Sequence, residues 1–209
     1  MLLLTLVSLL IFAYSIILHE IAHGWVADRL GDPTARLSGR LTLDPRPHID
    51  PLMTIVLPLF LAIIGGPVFG AAKPVPVDPF NFREGRKDMA IVALAGPLTN
   101  ILIAVILSLI LRLILSVSGG NEVAQVVGII LAGAIKMNLF LAFFNLFPLP
   151  PLDGYNVIGG ILPESLVGFW MSLGRFGFGL IFLFIFFFQN VIFSFVGPLT
   201  SLFIRILLP

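Results

Sequence analysis

The chain has 209 residues, 58% hydrophobic and 11% charged, with a mean hydropathy of +1.10. Soluble domains run at roughly 45–50% apolar and about 25% charged, so this composition excludes a soluble globular protein and indicates a polytopic membrane protein in a lipid bilayer. A net charge of +1 leaves no footprint for nucleic acid, and the lack of cysteine removes disulfides and thiolate ligands, so a metal would need histidine and carboxylate.

Residues 3–29 read as the first spanning helix. The run has no basic leading region and no small-residue cleavage site, so it does not read as a removed signal peptide. Its last third carries His19-Glu20-Ile21-Ala22-His23. Histidines four apart stand one turn above each other on a helix, so both imidazoles can reach one ion, with the intervening glutamate close by. In this His-Glu-x-x-His pattern the histidines bind zinc and the glutamate serves as general base. The competing reading is a polar cluster that glues helices together. It is the weaker one, because two histidines and a glutamate in lipid are costly without a partner.

Leu30-Gly31-Asp32-Pro33 reads as a helix stop. From Ala35 to Leu43 apolar and polar residues alternate, which predicts a strand at the membrane surface. Asp50-Pro51 predicts an N-cap followed by proline at the first helical position. Residues 52–64, interrupted by Pro58 and closed by Gly65-Gly66-Pro67, are too short for a span and read as re-entrant. Prolines at 74, 76 and 79 predict an extended segment suited to a sheet edge.

Met89–Val117 and Val123–Phe147 read as spans, joined by the polar turn Ser118-Gly119-Gly120-Asn121-Glu122. The second breaks at Phe147-Pro148-Leu149-Pro150-Pro151-Leu152-Asp153-Gly154. Residues 164–174 read as a short interfacial segment, with apolar runs at Phe176–Phe188 and Val191–Leu208 split by Gln189-Asn190. The predicted fold is all-α, with about four to six transmembrane helices and a re-entrant or short β element between the first helix and the 89–117 helix. No internal repeat or soluble accessory domain is visible, so residues 1–209 read as one integral membrane domain.

A catalytic zinc takes three protein ligands and leaves a fourth position open. His19 and His23 supply two, and Asp153, just after three prolines, is the best third. Spacing alone slightly favours a plain turn at Asp153-Gly154. His48 reads as a capping histidine in a turn, Asn100 and Asn145 as interhelical glue. Arg112 and Arg205, near helix ends, read as snorkelling. Lys136 is an intramembrane charge with no nameable partner.

The His19–His23 motif, Gly96-Pro97-Leu98-Thr99-Asn100 and Asn145-Leu146-Phe147-Pro148-Leu149-Pro150-Pro151-Leu152-Asp153-Gly154 together resemble the site-2 protease family of intramembrane zinc metalloproteases. The Gly31–Thr34, His48–Pro51 and Lys73–Val77 stretches resemble its compact bacterial and archaeal form without PDZ or CBS domains. The family-like core covers about residues 1–160, with C-terminal membrane helices over 161–209. The resemblance implies one Zn²⁺ per chain held by His19, His23 and Asp153, with Glu20 as catalytic base. It also implies substrate or oxyanion contacts from Asn100 and Asn145. The implied activity is hydrolysis of peptide bonds in or near transmembrane segments of membrane-protein substrates. Under it, the 37–43 and 75–77 stretches supply a strand edge for an unwound substrate, or else shield the site from water. The alternative is a non-proteolytic zinc-binding membrane protein or transporter, which would have no need of Glu20. Basic residues crowd the loops between the first helix and the 89–117 helix. They predict a multi-pass protein of the cell membrane with its N-terminus outside and its site toward the cytoplasm. Oligomeric state is left open.

Overall fold

A computed structural model describes residues 2–65, 70–118 and 121–208. Among the described residues five helices are long and apolar enough to cross a bilayer: Leu6–Leu30, Arg86–Ser118, Glu122–Asn145, Glu164–Phe187 and Gln189–Leu207. Their outer faces expose large apolar side chains such as Leu10, Leu109, Ile129 and Phe187. So much exposed apolar surface is stable against lipid and not against water, and the chain is a multi-pass membrane protein.

Helix α1 (Leu2–Leu30) ends where the sequence places its stop. Gly31 takes φ +113°, its N–H reaches the Asp28 carbonyl at 3.4 Å, and the Asp32 N–H reaches Ala27 at 2.9 Å. That pair of bonds is a Schellman cap, which satisfies the carbonyls left over at a helix end. Asp32 is fully buried and gathers the following loops. It accepts from the Thr34 N–H at 3.1 Å and from the Thr34 hydroxyl, from the Asn81 amide at 2.8 Å, and from the Asp78 N–H at 2.8 Å.

The expected β element does not form, and among the described residues no strand is present. Bonds from Thr34 to Asp32 nucleate a helical turn, α2 (Thr34–Leu37), where alternation predicted a strand. Local capping overrides a two-residue hydrophobic period that has no partner strand to pair with. The proline-rich segment is extended, but its N–H groups go to scattered acceptors instead of a ladder. Lys73 donates to the His48 carbonyl at 2.9 Å, Val75 to Glu20 at 2.8 Å, and Asp78 to Asp32.

The re-entrant reading of 52–64 gains no support either. Asp50 caps the Leu52 and Met53 N–H groups at 2.9 Å, opening a π-helical turn (Pro51–Val56) that runs into α3 (Leu57–Ile63). The Gly66-Pro67 closure expected after it, and Gly119-Gly120 in the later turn, lie outside the described residues.

Helices α4 (Arg86–Ser118) and α5 (Glu122–Asn145) pack on α1, and the short α6 (Asp153–Ile161) lies against α4. Gly160 permits that last contact, since a Cβ there would sit 2.8 Å from the Arg86 carbonyl. Residues 164–174 are not a separate interfacial piece. Helix α7 (Glu164–Leu173) passes through a 3₁₀ turn into α8 (Gly177–Phe187), and α9 (Gln189–Leu207) follows a bend at Phe188. Phe147 at the end of α5 meets the rings of Phe184 and Phe195, which seats α8 and α9 against the core.

Burial pushes the Asp32 carboxyl up, but its bonds from Thr34, Asp78 and Asn81 outweigh this and hold it below the usual carboxylate value. Hydrogen bonds to a buried charge contribute about 1.5–3 kcal/mol. Asp32→Asn should therefore lower stability by about 2 kcal/mol at pH 7, measured by denaturant unfolding in detergent. The carboxylate's contribution is complete above its unfolded pKa of about 3.9 and is lost as pH falls through the lower folded value. The gap between the wild type and Asp32→Asn should accordingly close only in that acid range.

Candidate metal centre

α1 carries His19 and His23 one turn apart, and the proline-broken chain after α5 delivers Asp153 as the first residue of α6. Gly154 is needed there for close approach, because a Cβ would stand 2.6 Å from the Phe147 carbonyl oxygen. The two Nε2 atoms lie 3.0 Å apart, His19 Nε2 is 3.1 Å from Asp153 Oδ2, and His23 Nε2 is 3.3 Å from Asp153 Oδ1. Both imidazoles are buried.

The far side of each ring fixes what the near side offers. His23 Nδ1 lies 2.7 Å from the Val92 carbonyl, which can only accept, so Nδ1 carries the proton. Pro97 inside α4 offers no N–H to the Ala93 carbonyl, and the neighbouring Val92 carbonyl turns to the histidine. His19 Nδ1 lies 2.6 Å from Asn100 Oδ1, also an acceptor. With both Nδ1 atoms protonated, both Nε2 lone pairs point into the site. They meet a carboxylate whose Oδ2 is buried and accepts no hydrogen bond.

Three electron pairs converging at about 3 Å repel one another unless a proton or a metal cation lies between them. Ligand atoms held tetrahedrally at about 2.0–2.1 Å lie roughly 3.3 Å apart, close to the three separations here. Gly96 keeps the space open, since a Cβ on it would stand 2.5 Å from His19 Nε2. The residues fit a metal ion, and the ligand atoms of all three lie within 4.8 Å of one another.

The site opens into a cavity of about 470 Å³. Its walls come from α1, the extended 70–77 segment, α4, α5 and α6, with Phe178, Ile181 and Ile185 of α8 completing them. Glu20 lines this cavity beside the histidines, its Oε2 accepting the Val75 N–H at 2.8 Å. The extended segment is also held at Lys73, whose carbonyl accepts from the buried Arg40 at 2.6 Å. Asn145 lines the cavity and donates to the Leu141 carbonyl at 2.9 Å. Asn100 is fully buried, with its carbonyl on His19 and its amide on Asn138 at 3.0 Å. It therefore supports His19 from behind, and it also lines the cavity. His48 sits in its turn, donating to the Thr42 carbonyl at 3.0 Å, away from the cavity wall. Lys136 is exposed on α5 and does not line the cavity.

Sequence reasoning missed the Val92 carbonyl, Asn138, Ser15 and the α8 wall. Two of these had a faint signal: Ser15 precedes His19 by one helical turn, and Asn138 precedes Asn145 by two. A carbonyl and an apolar wall carry none.

No family model matches the chain, and no solved structure matches it. Curated relatives do. "Putative zinc metalloprotease YwhC" of Bacillus subtilis is 38% identical over 154 residues, covering 73% of this chain and 67% of that protein. Rip2 of Mycobacterium tuberculosis strain Erdman, with the same designation, is 35% identical over 145 residues, 69% of this chain and 52% of Rip2. MJ0611 of Methanocaldococcus jannaschii, again so designated, is 32% identical over 123 residues, 55% of this chain and 61% of its own length. The chain thus spans about two thirds of YwhC and about half of Rip2.

Gly96→Ala should abolish stoichiometric metal binding while the helices stay folded. Gly133→Ala, where a Cβ meets nothing within 4 Å, should bind metal normally. Elemental analysis of both purified variants, alongside their unfolding curves, checks this.

Proposed function

We propose, since the chain belongs to the site-2 protease family of zinc metalloproteases, that it is a zinc-dependent endopeptidase cleaving membrane-protein substrates within or near their transmembrane segments. The observation carrying this reading is the convergence of two imidazole lone pairs and a carboxylate on one point, with a separate glutamate on the same cavity wall.

His19, His23 and Asp153 would hold the Zn²⁺, which when bound supplies Lewis-acid polarisation of the scissile carbonyl and acidifies the attacking water. Glu20 takes the proton from that water and returns it to the leaving amine. The Val75 N–H orients the Glu20 carboxylate through one oxygen and leaves the other for the water. Asn145 spends one amide N–H on Leu141, and the second is available to the substrate carbonyl. Asn100 keeps His19 aimed at the ion from the cavity wall. The apolar walls from α5 and α8 suit the side chains of an unwound transmembrane segment.

Glu20→Gln should retain zinc and lose at least about 100-fold in cleavage of a defined single-span substrate in detergent, because it removes the base and no ligand. Near-normal turnover would refute the mechanism. Asp153→Ala should lose zinc and activity together, and full zinc occupancy in that variant would return Asp153 to a turn residue.

Orientation follows from the ligands. The site joins the C-terminal third of α1 to the break after α5, so both helices run the same way, with α4 crossing back between them. Arg29, Arg36, Arg40, Arg46, Lys73, Arg83, Arg86 and Lys87 all fall between the body of α1 and that of α4. By the positive-inside rule those loops are cytoplasmic and the N-terminus lies outside. Single cysteines at Ser38, Phe80 and Ser118 in this cysteine-free chain test it with an impermeant thiol reagent on intact cells. Only position 118 should label, and labelling at 80 would overturn the topology.

A further inference from the structure

Behind His19 lies a chain of polar side chains drawn from three helices: Ser15 on α1, Asn100 on α4 and Asn138 on α5. All are buried, the two asparagines fully so. Groups that can act in only one way set the direction of every bond in it. The Asn138 Nδ2 lies 2.9 Å from the Ala134 carbonyl, which can only accept. It also lies 3.0 Å from Ser15 Oγ, whose own hydrogen goes to the Ile11 carbonyl at 2.8 Å, so Ser15 accepts here too. The amide of Asn138 must therefore turn its NH₂ toward Ala134 and Ser15 and its Oδ1 toward Asn100. Asn100 answers with its own NH₂, at 3.0 Å. That leaves Asn100 Oδ1 facing His19 Nδ1, which must carry the proton. An amide reversed at either step would move the proton to His19 Nε2 and point it into the metal site.

We propose that Asn138 is a positioning residue of the metal centre. Acting through Asn100, it holds His19 in the tautomer whose Nε2 lone pair faces the ion. The proposal rests on the metal-site reading above. Asn138 touches neither the ion's ligand atoms nor the cavity, yet its carbonyl, at 3.0 Å, is the nearer of the two acceptors that hold the Asn100 NH₂, the other being the Ser15 backbone carbonyl at 3.5 Å. Outer partners of metal-binding histidines commonly change metal affinity 10- to 100-fold when removed.

The test uses the full chain in detergent. Zinc affinity is measured by competition with a chelator, and the His19 tautomer is read from ring ¹⁵N signals of the metal-free protein, which has only three histidines. Asn138→Leu, which removes the acceptor, should weaken zinc binding roughly 10- to 100-fold and admit the Nε2-protonated tautomer of His19. Asn138→Asp keeps an oxygen toward Asn100 and should preserve the tautomer, with affinity well above that of Asn138→Leu. Should Asn138→Leu fail to fold, Asn138→Ala removes the same acceptor without added bulk and carries the same expectation. Unchanged zinc affinity in the acceptor-less variant, or weakened affinity with the tautomer unaltered, overturns the proposal. A wild-type chain that bound no zinc would instead sink the metal-site reading, while the tautomer comparison would still decide this one.

Discussion

Two imidazoles and a carboxylate held within about 3 Å of one another need a proton or a metal cation between them, and much of the surrounding structure serves to hold them there. Each histidine is pinned from behind by an acceptor on α4, the Val92 carbonyl for His23 and Asn100 for His19. α4 can approach only because Gly96 offers no side chain where the rings converge. Asp153 reaches the same point only because α5 stops and the chain re-enters as α6, with Gly154 pressed against the end of α5. Remove any of these and the ligand set loses its geometry before it loses a ligand.

The polar loops between α1 and α4 answer to a second fixed point. Asp32, just beyond the cap of α1, collects donors from Thr34, Asp78 and Asn81 and so ties the far end of the extended segment to the helix that bears the histidines. The near end is held through Lys73 by Arg40 and His48. Between these anchors Val75 meets Glu20. The carboxylate proposed as the base is thus oriented by a backbone N–H in a segment anchored at one end by the buried Asp32. In that arrangement loop anchoring and the orientation of Glu20 are coupled.

The C-terminal helices do more than anchor the chain in lipid. Phe143 on α5 and Phe147 just after it meet rings of α8 and α9 in tilted and edge-on contacts, bringing Phe178, Ile181 and Ile185 to the cavity wall. The cavity is therefore shared between the motif-bearing helices and a region whose sequence shows only hydrophobicity.

Composition and apolar run lengths were enough to establish a multi-pass helical membrane protein, because lipid forces backbone groups to pair within each span. The stop at Gly31 and the cap at Asp50 were equally legible, being local in cause. His19, Glu20 and His23 could be placed on one face by helix geometry alone, whereas the link to Asp153 came from the resemblance and not from spacing. The alternation of residues 35–43 misled, because a two-residue period makes a strand only where another strand is there to pair with it. Nothing within that segment reveals the lack, or that Asp32 would cap a helical turn in its place. The tautomers of the histidines, the part played by Asn138 and the wall built by α8 depend on which atoms meet across helices far apart in sequence. Only the tertiary structure could decide them, since hydrogen-bond direction is a property of the partner as much as of the residue.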